Sequence, residues 1–331
     1  MEFVKDEISR FFAILRRNLL FLFPIFFVVI ASVLITYLSL SNNLPRLSFV
    51  PYALESSIEV IFINVLFFVG ITFSSMLFIH YAFKAGMMDL IEKLFGIGGG
   101  FLTILFFSLL SYTVFQPIKT LFELFITWLG PVFLIFIMIL TIFGTLPQNL
   151  KDIIFLVYSS ITGSFLGLGI PILSMMHVLI AVCIIDLIFY RLGILRRTAN
   201  LSRGQSIYFK IKGSGKELLV GWGDLVYYSM FTSYSLANFG SLITLLCGIL
   251  FLAGWLLTIF FAMDNAAFPG LPIPILLGMM PVLFNLNPAY LSLLLVPLLV
   301  DRFIEYLRKS KDAHNCMKPE KYSEASTTTK L

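Results

Sequence analysis

Charge is what this chain of 331 residues lacks most. Asp, Glu, Lys and Arg make up 12% of it, about half the share found in a soluble domain. With 59% of the residues apolar, that supply cannot cover a water-facing surface, so a soluble globular protein is excluded. Cysteine is scarce and scattered. Cys183, Cys247 and Cys316 form no CxxC pair and no metal-ligand spacing. Two of the three lie in apolar runs, where a cysteine usually acts as a small buried hydrophobe. No HExxH is present for a metalloprotease, and Ser164 lacks the flanking pattern of a serine rhomboid protease. Gly213-Ser214-Gly215-Lys216 is no phosphate loop, because the motif's earlier glycine would fall at Lys210. The net charge of +5 is carried by short loops and gives no nucleic-acid signal. No metal and no organic cofactor is expected.

Long apolar runs are what the sequence has in abundance. They predict an all-α, polytopic helical bundle of about nine transmembrane helices in a lipid bilayer. A basic amphipathic lead-in, residues 1–17, is expected to lie at the cytoplasmic interface. The first apolar run is too long for a signal-peptide core and lacks a small-residue cleavage site, so it reads as a span. Residues 18–170 hold spans 1 to 5: 18–40, 58–83, a third starting after Gly98-Gly99-Gly100 and ending near Phe115, 121–146, and 153–168. Residues 171–300 hold spans 6 to 9, joined in the middle by a polar linker, 191–217. Seven Lys/Arg and no acid fall between Arg191 and Lys216, which places that linker in the cytoplasm. Within it, Ser206 to Lys212 alternates polar and apolar residues and reads as a short strand. Spans 7 and 8 are expected over 224–239 and 241–263. The apolar stretch 271–300 is broken at Asn285 to Pro288, which leaves open whether it crosses once or twice. The polar tail 301–331 is expected to be disordered.

Against this apolar background two carboxylates stand out. Asp186 lies in Ile184-Ile185-Asp186-Leu187, late in span 6. Asp224 closes Gly221-Trp222-Gly223-Asp224, at the start of span 7. A carboxylate in lipid is costly, so each is a functional candidate by default. Plainer readings stand beside these. Asp224 could be a first-turn acid favoured by the helix dipole, and Asp186 a structural acid paired with Arg191 or a tyrosine hydroxyl. His80 and His177 read as packed or hydrogen-bonded residues. Met175, Met176, Met279 and Met280 read as core or lipid-facing packing.

The combination carries more than either residue. An Asp late in span 6, a Gly-Xaa-Gly-Asp opening span 7 and Pro269-Gly270-Leu271-Pro272 before the last span resemble the presenilin and signal peptide peptidase family of intramembrane aspartyl proteases. The resemblance covers roughly 174–285 and is closest to the family's microbial members. It implies that Asp186 and Asp224 are the catalytic pair. It also implies that Gly221, Trp222, Gly223, Pro269, Gly270 and Leu271 line the substrate site. Two residues depart from the family's pattern: Ile185 stands where a tyrosine usually precedes the first Asp, and Gly270 where Pro-Ala-Leu has its alanine.

Two carboxyls sharing a site cannot both ionise cheaply, so one proton is held between them. The ionised carboxyl then takes a proton from water while the protonated one polarises the scissile carbonyl. A transmembrane helix hides its amides and must unwind before cleavage. The resemblance implies that the unwound segment pairs as a strand near the 191–217 linker, which the run around Phe209 suits. The expected partners are transmembrane helices of membrane proteins or signal peptides; self-association is left open. Short loops suggest a prokaryotic plasma membrane. Two rivals remain: an ion- or proton-coupled transporter or channel using the same Asp pair, and a prepilin or preflagellin peptidase, which also carries Gly-Xaa-Gly-Asp on fewer spans.

Overall fold

A computed structural model of the chain describes residues 22–42, 57–114, 121–142, 147–193, 206–210, 217–262, 269–302 and 304–305. The lead-in 1–17 and the tail beyond 305 lie outside the described residues, as does most of the linker. Among those described, the elements are α1 (Phe23–Ser41), α2 (Ile58–Lys84), α3 (Met88–Val114), α4 (Leu121–Ile142), α5 (Gln148–Gly169) and α6 (Ile172–Arg191). A β-hairpin follows, β1 (Ser206–Lys210) and β2 (Glu217–Gly221). It runs directly into a helical stretch, Trp222–Ala262, which is interrupted at Gly240 (φ 80°, ψ 179°). Only glycine adopts that conformation without strain. The break turns a rod of about 60 Å, twice a bilayer core, into two spans, α7 (222–239) and α8 (241–262). Then come α9 (Pro272–Leu286), a 3-10 helix (Pro288–Leu294) and a helical continuation over 295–302.

These segments are helical because lipid offers their amides no other partner. Five stretches among the described residues are long and apolar enough to cross a membrane, the Gly240-broken one counted once. The chain is an integral membrane protein. The helix that holds the expected span 3 begins at Met88, before the polar residues Asp89, Glu92 and Lys93, and runs through Gly98-Gly99-Gly100 without a break. Unwinding there would strand buried amides, and Gly100 is used for packing: a Cβ on it would sit 2.6 Å from Met138 Cγ of α4.

Contacts fix the directions of the helices. Gly163 faces Val226 and Ser229 while Gly167 faces Met230 and Tyr234, so α5 and α7 run parallel in close contact. Asn64 donates to Ser174 Oγ at 3.1 Å, and the rings of Phe73 and Phe189 lie 5.7 Å apart, so α2 and α6 are also parallel. Gly254 packs on Pro274 and Gly278 on Phe251, making α8 and α9 antiparallel. Buried hydroxyls tie α1, α7 and α5 together: Ser32 Oγ donates to Ser229 Oγ at 2.7 Å, and Ser229 Oγ to the Ser160 carbonyl at 2.7 Å. The core beside them is aromatic, with Tyr228, Phe231, Tyr234, Phe251 and Trp255 buried. Leu242, Leu245, Ile249 and Leu257 of α8 are exposed, a face suited to lipid.

The break foreseen near Asn287 is real. Asn287 is extended (φ −167°, ψ 125°), and its side chain caps the 3-10 helix by accepting from the Ala289 N–H at 2.9 Å. Beyond it the chain turns back. Both nitrogens of Arg191 used in the contact, Nε and Nη2, donate to the Asp301 carboxylate at 2.6 Å, so 288–302 returns alongside α9 to the end of α6.

Candidate functional site

The site is assembled at one end of the bundle, where α6 ends, the hairpin sits and α7 and α9 begin. Register explains how Asp224 gets there. β1 and β2 pair antiparallel from Ser206↔Gly221 to Lys210↔Glu217, so Gly221 is the last strand residue and Trp222 the first helical one. Asp224 therefore lies in the first turn of α7, with its carboxylate folded back against Gly221, where an added Cβ would lie 3.3 Å from Oδ2. A helix N-terminus favours negative charge, so the plain first-turn reading and the functional one describe the same residue. Asp224 is half-buried and Gly223 exposed, whereas Asp186, inside α6, is only 4% exposed.

The two carboxylates converge on one peptide. Leu271 N–H donates to Asp186 Oδ2 in a long contact of 3.4 Å. On the preceding residue, a Cβ added to Gly270 would lie 2.6 Å from Asp224 Oδ2. The acids also act on each other electrostatically. Pro269 and Leu271 are buried, and the absence of a side chain at Gly270 is what lets Asp224 lie against this segment. Asp186, Asp224, Gly221, Gly223, Pro269, Gly270 and Leu271 are thus brought together. Trp222 joins them through the backbone at the strand-to-helix junction. Phe209 pairs with Leu218, three residues before Gly221, and belongs to the hairpin beside the acids.

Arg191 is not the partner of Asp186, contrary to the plain reading of that acid; it is engaged by Asp301. Two tyrosines escaped notice in the sequence. Tyr228, one turn after Asp224, donates its hydroxyl to the Gly270 carbonyl at 2.8 Å and so pins the segment that both acids touch. Tyr227 and Thr72 share a hydrogen bond of 2.8 Å that ties α7 to α2. The spacing Asp-Xaa-Xaa-Xaa-Tyr, which puts both side chains on one helix face, was the available signal. Of the other candidates, His177 Nδ1 bonds the Leu173 carbonyl at 2.8 Å. Met175, Met176 and Met279 are buried and Met280 is exposed, while Cys183 and Cys247 are buried and free.

Chemically, two carboxyls on one peptide segment, one shielded and one reachable, suit the sharing of a proton and the holding of a water. No family model matches the sequence, and no curated protein matches it. A comparison with solved structures does find a likeness. The chain superposes on a presenilin-family intramembrane aspartate protease with a TM-score of 0.54 and 20% identity, over 80% of this chain and 97% of the other. The fold is presenilin-like: a polytopic helical membrane bundle of that architecture.

Proposed function

We propose that the protein is an intramembrane aspartyl endopeptidase that hydrolyses peptide bonds in transmembrane segments of membrane proteins or signal peptides, with Asp186 and Asp224 as the catalytic pair. The observation that carries the reading is the convergence of both carboxylates on Gly270-Leu271. The presenilin-like fold supports it. One carboxyl is ionised and one protonated, holding a water between them. The ionised carboxyl removes a proton as the water oxygen bonds to the scissile carbonyl carbon, and the protonated one gives its proton to the carbonyl oxygen. The tetrahedral diol then collapses: one hydroxyl returns its proton to the carboxyl that had given one up, the C–N bond breaks, and the amine leaves with the proton taken from water. No step requires a metal or an organic group.

The substrate must reach the acids as extended chain. We assign that task to the hairpin and to Pro269-Gly270-Leu271. A two-stranded sheet keeps free edges for a third strand, and the hairpin leads straight into Gly221-Trp222-Gly223-Asp224. The basic linker 191–217 assigns this end to the cytoplasm.

The deciding experiment incubates purified protein in detergent with a single-span substrate, with Asp224→Ala and Asp186→Ala as controls. Cleavage products from the wild type alone are expected. If the wild type cuts nothing while the Asp pair proves essential for ion flux in vesicles, the transporter reading replaces this one. A prepilin-type peptidase would instead cut beside a span and leave the span's interior intact.

A further inference from the structure

The stretch after Leu286 has no role in the chemistry above, yet its placement is specific. α9 has 15 residues, about 22 Å, and is too short for a bilayer core of about 30 Å. It starts beside the acids and ends at Asn287. The 3-10 helix and the continuation over 288–302 have about the same reach, roughly 26 Å. This segment is apolar, with Leu291, Leu293 and Val296 packed on the core and Leu295, Leu298 and Leu299 exposed to the lipid side. Its first charged residue, Asp301, accepts from two nitrogens of Arg191, with both side chains about a quarter exposed. Arg191 is the last residue of α6, and Asp186 lies five residues before it on the same helix. The α9 hairpin is therefore held to α6 twice. Leu271 meets Asp186 at its start and Asp301 meets Arg191 at its end.

We propose that residues 272–302 form a clip in which Arg191 and Asp301 are positioning residues for Asp186, and that the clip brings the C-terminal tail out on the same membrane face as the 191–217 linker. The inference about Asp186 rests on the protease reading; the inference about the tail does not. A single last span would put the tail on the opposite face. The two-nitrogen pair holds the last turn of α6, whose rotation would carry the Asp186 carboxylate off the Leu271 N–H. Glu305 also acts on Arg191 electrostatically and reinforces the same end.

Two measurements test this on the full chain. Cys183 and Cys247 are buried, so an impermeant maleimide reads Cys316. In sealed right-side-out and inverted vesicles, Cys316 is expected to label from the same face as Ser202→Cys in a Cys316→Ser background, and from the face opposite to Asn43→Cys. Labelling from the Asn43 face overturns the clip whatever the protein's activity. For the positioning role, Arg191→Gln and Asp301→Asn are each expected to lower kcat about tenfold or more with KM little changed, since about 1 Å of misplacement can cost about 100-fold. The exchange Arg191→Asp with Asp301→Arg is expected to recover most of the loss. Single variants with wild-type kcat, or an exchange no better than the singles, overturn it. A wild type that cuts nothing sinks the protease reading, while the labelling still reports the clip.

Discussion

Gly270→Ala isolates the contact on which the site depends. The new Cβ would lie 2.6 Å from Asp224 Oδ2 and 3.4 Å from Cγ, where ordinary contact begins at 3.4 Å. The backbone at Gly270 is not in the left-handed region, so alanine meets no conformational penalty there. Its clash is with the tip of a rotatable side chain, so the fold loses little and the carboxylate moves. The oxygen must retreat by about 0.8 Å, and displacements near 1 Å at a reacting group cost about 100-fold. We expect kcat on a single-span substrate to fall 10- to 100-fold. KM should stay within about twofold, because the rest of the substrate contacts are untouched. The thermal midpoint in detergent should be unchanged. The result is informative because the family resemblance puts alanine at this position: in this chain the acid has taken the space an alanine methyl would fill. Wild-type kcat in Gly270→Ala would refute the packing of Asp224 against Gly270, and with it the geometry of the pair.

Four further changes probe neighbouring links. Activity against pH should be bell-shaped, falling when both carboxyls are protonated and again when both are ionised; a flat profile across the carboxyl range removes the shared-proton mechanism. Tyr228→Phe deletes the hydroxyl bonded to the Gly270 carbonyl but keeps the ring packed on Phe251. A lost buried hydrogen bond is worth about 1–3 kcal/mol, so kcat/KM should drop by roughly tenfold or more, and wild-type kinetics would show the pin to be idle. Gly167→Ala drives a Cβ into the Met230 carbonyl, which is backbone and cannot swing away; overpacking of about 1–3 kcal/mol should lower the thermal midpoint, and an unshifted melt would contradict the α5–α7 contact. Phe209→Pro removes a backbone donor from β1 opposite Leu218. Cleavage should be impaired at normal expression, and unimpaired cleavage would count against strand pairing of the substrate.

The helices were legible in the sequence because lipid leaves an apolar run little else to become. Starts at Ile58 and Leu121 and the break at Asn287 could be read residue by residue. Local signals misled where tertiary packing overrode them. Gly98-Gly99-Gly100 looks like a helix boundary, yet all three stay helical and Gly100 packs on Met138 of α4. β2 was hidden for the opposite reason. Leu218-Leu219-Val220 is a short apolar run with no alternation, and only pairing with Ser206 to Lys210 reveals a strand. The two acids and the segment 269–271 were visible because each is unusual for its surroundings, but their convergence is a long-range fact. Asp186 and Leu271 are 85 residues apart. The same holds for Asp301, whose partner Arg191 lies 110 positions earlier.

The unequal exposure of the two acids bears on how a hydrolase works inside lipid. Were both as shielded as Asp186, no water could reach them; were both open, neither would hold a proton against bulk solvent. Here Asp186 is enclosed by α6 and α9, while Asp224 sits in the first turn of a helix with exposed Gly223 beside it. On the protease reading, water would reach the pair from the hairpin end, where Gly223 is exposed and Asp224 only half-buried. Gly221 has a physical reason to be small: a Cβ on it would lie 3.3 Å from Asp224 Oδ2, whereas a Cβ on Gly223 would meet nothing within 4 Å. Tyr228, fully buried on α7, donates its hydroxyl to the Gly270 carbonyl, while Ile185 keeps α6 apolar beside Asp186.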